Sequence, residues 1–108
     1  MKTLIALLAC AALPVLAWAG PSEKFASGYA LANEKGCFEC HALGHTEVGP
    51  SFRAVARHYR FDPEGREPLP YVVRGGSVGH WGERFAMWPQ TRLSDEEVRQ
   101  LVEWVLSQ

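Results

Sequence analysis

Sulfur is scarce in this chain. Only three of its 108 residues are cysteine and two are methionine, so chemistry that needs a thiol or a thioether has few places to sit. An excess of charge of one sign is missing as well. Eleven Lys and Arg stand against twelve Asp and Glu, a formal net charge of −1. With no basic stripe, no nucleic-acid partner is expected. No internal repeat or low-complexity tract occurs, which excludes solenoids and tail-like segments. No stretch alternates apolar and polar residues for long enough to make a strand, which leaves an all-α class. The one long apolar run, Leu4 to Leu16, is shorter than the roughly 20 residues that span a bilayer.

That run belongs to a leader. Lys2 supplies a positive start, the apolar stretch follows, and Ala17-Trp18-Ala19 is a small-x-small cleavage site. Pro14 breaks the apolar helix shortly before the cut. Residues 1–19 therefore read as a cleaved secretory signal peptide, and 20–108 as one small domain. Leu7-Leu8-Ala9-Cys10 resembles a lipoprotein cleavage box. Very few residues precede Cys10, however, and the apolar run continues past it, so Cys10 reads as part of the leader. Removal of the leader leaves Cys37 and Cys40 as the only thiols. A domain of this size buries a limited core and usually needs a disulfide, a metal or a cofactor. A Cys37–Cys40 bridge would close too short a loop to stabilise much.

The mature chain reads as short helices joined by Gly and Pro turns. Ser22 is expected to cap a helix over about Glu23 to Lys35, with Phe25, Tyr29 and Ala32 on one face and Gly36 ending it. A second helix is expected from Pro50-Ser51 to about Arg60, through Phe52, Val55, Ala56 and Tyr59. Phe61 to Pro70 reads as turn-rich, and a short helix around Leu69 to Arg74 stops at Gly75-Gly76. Ser94-Asp95-Glu96-Glu97 is a capping box. Val98, Leu101, Val102 and Val105 continue it at helical spacing, with Trp104 adding bulk.

Cys37-Phe38-Glu39-Cys40-His41 is the segment that carries chemistry. Two thiols three positions apart can add across the two vinyl groups of one haem. A histidine directly after the second thiol is placed to bind the iron from one face. A sixth ligand is then needed from the opposite face. Met87, in Phe85-Ala86-Met87-Trp88-Pro89, is the only methionine outside the leader. A lone Met is ordinarily a core filler, but a loop position between Ala and Trp-Pro suits a ligand better. His80, in Gly79-His80-Trp81-Gly82, is its rival. His45 lies too near His41 in sequence, and His58, between arginines on the polar side of the second helix, reads as solvent-facing.

Together these segments resemble the small class I bacterial cytochromes c of the c551/c552 (cytochrome c8) kind. The resemblance covers nearly the whole mature chain and rests on several segments in the family's order. These are Gly36-Cys37 to His41, Val48-Gly49-Pro50, Gly75-Gly76-Ser77 to Trp81-Gly82, Met87, and Trp104-Val105-Leu106-Ser107-Gln108. It implies three to four short helices wrapped around one covalently attached haem c, with the N- and C-terminal helices crossing near Gly28, Tyr29 and Trp104. It implies that the Pro50 carbonyl accepts a hydrogen bond from His41 Nδ1 and leaves Nε2 for iron. It further implies that the Trp81 indole donates toward a haem propionate, and that Arg74 pairs with one. The chain departs from the family where prolines usually bracket the methionine. Ala86 and Trp88 stand there instead, so a more labile iron–thioether bond is expected. Arg60 to Pro70 also differs.

The function implied is periplasmic transfer of single electrons between redox proteins, a membrane or periplasmic reductase or oxidase, with no small-molecule substrate. The protein would act as a monomer or in transient complexes. A dedicated cytochrome subunit of a sulfur- or nitrogen-compound oxidoreductase keeps the same fold. A five-coordinate iron with peroxidase or gas-binding chemistry, and a thiol–disulfide pair at Cys37 and Cys40, are the alternatives from other classes.

Overall fold

The structure, a computed structural model, describes residues 20–108; the expected leader, with Cys10 and the cleavage site, lies outside them. Five helices follow in order: α1 Pro21–Glu34, α2 Phe52–Tyr59, α3 Pro63–Arg66, α4 Leu69–Gly75 and α5 Asp95–Leu106. A single 3-10 turn, Cys37–Glu39, follows α1, and two short strands, β1 Ser77–Val78 and β2 Ala86–Met87, lie between α4 and α5.

Local chemistry sets the helix ends. Gly20, not Ser22, caps α1. Pro21 opens the first turn with its φ already helical, and the Glu23 carboxylate accepts the Gly20 N–H at 3.1 Å. α1 stops at Gly36, whose φ of +75° suits a residue without Cβ. Ser51 caps α2 through Ala54 N–H at 3.1 Å. α5 carries the expected capping box, with Glu97 N–H donating to Ser94 Oγ and Ser94 N–H to Glu97 Oε2. The turn-rich stretch holds one regular turn, α3, because Asp62 caps it through Gly65 N–H at 3.0 Å and Pro63 follows. β1 and β2 also depart from the strand-free expectation. They pair antiparallel, Ser77 with Met87 and Val78 with Ala86, in strands too short to show any alternation in sequence.

α1 and α5 cross where Gly28 meets Trp104. A Cβ on Gly28 would lie within 2.5 Å of Trp104 Cδ1, so only glycine admits the indole. The core runs from this crossing through Ala32, Phe52, Leu93, Val98 and Leu101. Trp104 is 3 % exposed, and Phe52, Phe38, Tyr29 and Phe25 stand around it with ring centroids at 5.0, 6.0, 6.2 and 6.3 Å. Full burial of side chains of this size is worth roughly 1.5–3 kcal/mol each. At the edge of the crossing Lys35 Nζ meets Glu97 Oε1 at 2.8 Å. That hydrogen bond holds the Glu97 carboxyl below its ordinary range and the Lys35 ammonium above its own.

Candidate haem cleft

The thiols and the histidine reach one cleft because α1 ends in a left-handed glycine. The chain reverses at Gly36 into the 3-10 turn, and His41 N–H donates to Cys37 O at 3.0 Å. Cys37, Cys40 and His41 all line the cleft, each half-buried. No disulfide joins Cys37 to Cys40, and burial pushes the Cys37 thiol up.

His41 is held on three sides. Its Nδ1 lies 2.7 Å from Pro50 O. A carbonyl only accepts, so Nδ1 carries the proton and Nε2 keeps a free lone pair. Phe52 stacks on the ring at 5.0 Å with planes 22° apart. Gly49 closes the third side, since a Cβ there would lie 2.7 Å from His41 Cε1. Gly49 N–H in turn donates to Cys40 O at 2.7 Å, which locks the Val48-Gly49-Pro50 segment to the thiol turn.

Met87 lines the same cleft from β2. Its strand is fixed by the backbone, through pairing with Ser77 and through Gly76. At φ +73° Gly76 brings its backbone against Met87 O, and a Cβ there would also sit 3.0 Å from Pro89 N. Beyond the strand, Gln90 N–H donates to Val73 O at 3.1 Å, which ties the loop to α4. Trp88, next to Met87, is 80 % exposed.

Of the other expected residues, Pro50 and Trp81 line the cleft, as does His80, the rival ligand. Arg74 does not. Its guanidinium donates to Leu93 O at 2.9 Å and to Asp95 Oδ1, tying α4 to the first turn of α5, because α4 points it along the helix junction. His45 pairs with Glu47 at 2.6 Å, away from the cleft. His58 is exposed but not free in solvent, since its ring packs edge-on against Trp81 at 5.3 Å. Tyr59 and Gly49 are cleft residues that the sequence reading left without a role there. The Val48-Gly49-Pro50 segment is the signal for Gly49, whereas Tyr59 reads as one more apolar position of α2.

The donor set fits a haem. Val55, Leu69, Val72, Val73, Leu101 and Val102 form much of the wall, and among the described residues no Asp, Glu, Lys or Arg lines it. Among the described residues no three His, Cys, Asp or Glu side chains converge as a bare-metal cage. A lining of this kind suits a large apolar group that carries its own metal better than a naked ion. The Trp104 indole N–H, buried without a partner among the described residues, belongs to the same wall.

Residues 25–108 match the Cytochrome c family. Cytochrome c-551 of Allochromatium vinosum is 36 % identical over 76 residues, covering 70 % of this chain and 80 % of that protein. Cytochrome c-551 of Pseudomonas aeruginosa is 35 % identical over 92 residues, covering 85 % and 81 %. The crystal structure of Nitrosomonas europaea cytochrome c552 superimposes with a TM-score of 0.68 at 30 % identity, covering 73 % of this chain and 96 % of that one. The chain belongs to the cytochrome c family and is an electron-transfer protein of the small class I c551/c552 type, with covalently attached haem c as its cofactor.

Proposed function

We propose that this cytochrome is an exported, periplasmic shuttle of single electrons, with haem bonded through Cys37 and Cys40 and iron held between His41 and Met87. The haem supplies the redox chemistry, its iron alternating between ferrous and ferric. The chain supplies everything that makes that exchange fast and reversible. The Pro50 carbonyl keeps the proton on His41 Nδ1, so Nε2 stays a ligand in both oxidation states. The Met87 thioether is a neutral, soft donor that favours the ferrous state. The apolar wall excludes water and disfavours added charge, which raises the potential further.

The observation that carries this reading is the His41–Pro50 hydrogen bond at 2.7 Å in a cleft that also collects Cys37, Cys40 and Met87. Export is supported by the leader composition of residues 1–19. Redox partners would meet the cleft mouth, where Val48 is 63 % exposed and Trp88 80 %, through a small apolar, transient interface. The same rim suits a dedicated oxidoreductase partner, and a complex that survives gentle purification would mark that variant.

The test is the absorption spectrum of the reduced protein, exported with haem attachment machinery present, before and after carbon monoxide. Sharp c-type bands unmoved by the gas are expected. A marked shift would remove Met87 from the iron, and absence of haem bands would overturn the assignment of Cys37 and Cys40.

A further inference from the structure

α2 is 8 residues long, about 12 Å from end to end, and its two ends are fastened to α5 by different means. At its start Phe52 packs edge-on against Trp104 and stacks on His41, each at a centroid distance of 5.0 Å. At its far end Arg60, the cap residue, reaches across the fold. Its Nε donates to Leu106 O at 3.0 Å and its Nη2 to Gln108 O at 2.6 Å. Leu106 is the last residue of α5; its carbonyl has no N–H of a following turn, and the negative helix end favours a cation. The anchor is itself fixed, since Ser107 Oγ and Gln108 Nε2 both donate to Trp104 O, at 2.6 and 2.7 Å. Arg60 O accepts from Arg66 Nη1 at 3.2 Å, which draws α3 onto the same point. Among the described residues no other hydrogen bond ties α2 or its cap to α5 and the two residues after it.

Both helices are walls of the cleft. Val55 and Tyr59 line it from α2, and Leu101, Val102 and Val105 from α5. We propose that Arg60 is the positioning residue of this wall: its guanidinium holds the Tyr59 end of α2 against α5 and so sets how much water reaches the haem there. The inference rests on the haem reading above. With Arg60 released, α2 swings about the Phe52–Trp104 contact, and the cleft opens beside Tyr59 while the Phe52 stack on His41 stays. Hydrogen bonds from a charged donor hold more strongly than neutral ones, so this end of α2 depends on them. Water admitted there favours the added charge of ferric iron, and the reduction potential falls.

The test compares Arg60→Gln with Arg57→Gln in the haem-loaded protein. Arg57 is exposed on the same helix and, among the described residues, makes no side-chain hydrogen bond or ion pair, so its loss removes the same charge and no bond. Amide exchange by mass spectrometry and the reduction potential at high salt, where exposed charge is screened, are measured on both. In Arg60→Gln, residues 55–60 should exchange roughly tenfold faster or more, while α1 and residues 98–105 keep native rates. Its potential should fall below those of the native protein and of Arg57→Gln. Arg60→Lys, which keeps the charge but has one donor nitrogen in place of two, should show both changes to a smaller degree. Native exchange over residues 55–60 in Arg60→Gln, equal acceleration in every helix, or matching potentials for Arg60→Gln and Arg57→Gln overturns the proposal. So does an Arg60→Lys protein identical to the native one in both readouts, or a high-spin ferric fraction in Arg60→Gln, since the His41 side would then have moved. Native c-type bands in all four proteins keep such failures separate from failure of the haem reading, which would show as proteins without those bands.

Discussion

Gly28→Ala sets two effects of known size against each other. In a helix interior Ala is favoured over Gly by roughly 0.5–1 kcal/mol, so propensity alone predicts a stabler protein. The new Cβ, however, would lie 2.5 Å from Trp104 Cδ1 and closer still to its Cβ and Cγ. Those atoms are the root of the side chain, not a flexible tip. The indole cannot retreat, because Trp104 is 3 % exposed and walled by Phe52 and Phe38 at 5.0 and 6.0 Å. The helices must then separate, and overpacking of this kind costs about 1–3 kcal/mol. Root contacts place this case at the upper end, leaving a net loss of about 2 kcal/mol after propensity is subtracted. For a domain of this size each kcal/mol moves Tm by roughly 4–8 °C, so Tm should fall by about 8–16 °C. Calorimetry of the ferric, haem-loaded protein measures it. A Gly28→Ala protein that melts at or above the native temperature would refute the steric argument.

Gly49→Ala should push the His41 ring off its hydrogen bond to Pro50, since the added Cβ would lie 2.7 Å from Cε1. A high-spin ferric fraction in the absorption or EPR spectrum, with haem still covalently attached, is the expected result. Gly76→Ala meets Met87 O and Pro89 N at a φ of +73°, so cyanide and azide should bind the ferric protein faster than they bind the native one. The stability that the Lys35–Glu97 contact adds should be lost at both pH extremes. Glu97 is held below its ordinary 4.5 chiefly by the hydrogen bond from Lys35. Its contribution is therefore present above that value and is lost as pH falls through the lower folded value. Lys35, raised from 10.5 chiefly by the hydrogen bond to Glu97, contributes below 10.5 and loses this as pH rises past its folded value. A Tm-against-pH profile of Lys35→Met should converge with the native one at both ends.

What sequence discloses about this protein is what short segments decide alone. The α5 start is readable because Ser94 and Glu97 bond each other's backbone within one turn. The thiol turn and its histidine occupy five consecutive positions. The α1 cap was displaced to Gly20 because Glu23 reaches back and Pro21 sets the first turn, so no capping side chain is needed. Asp62-Pro63 is a turn signal and a helix-start signal at once, which concealed α3. The resemblance puts Arg74 at a haem propionate, whereas its partners in the structure, Leu93 and Asp95, are set by how α4 lies against α5. No local pattern specifies that.

The two proposed axial sides are built differently, and the difference follows from the same residues. His41 is oriented by its own side-chain surroundings: an acceptor on Nδ1, a ring stacked on one face, and a glycine closing the third side. Each of those restraints persists if the iron–nitrogen bond breaks, so the ring remains in position to reform it. Met87 is placed through its backbone, by its pairing with Ser77 and the approach of Gly76. Its thioether stands on a flexible side chain, and no proline precedes it. The short ladder partly replaces the missing proline by fixing the strand, but it restrains Cα and not the sulfur. If these two residues hold the iron, release of Met87 would require side-chain rotation, whereas release of His41 would require the 2.7 Å bond and the Phe52 stack to yield as well. If iron is held as proposed, exchange should accordingly begin on the methionine side, next to the exposed Trp88.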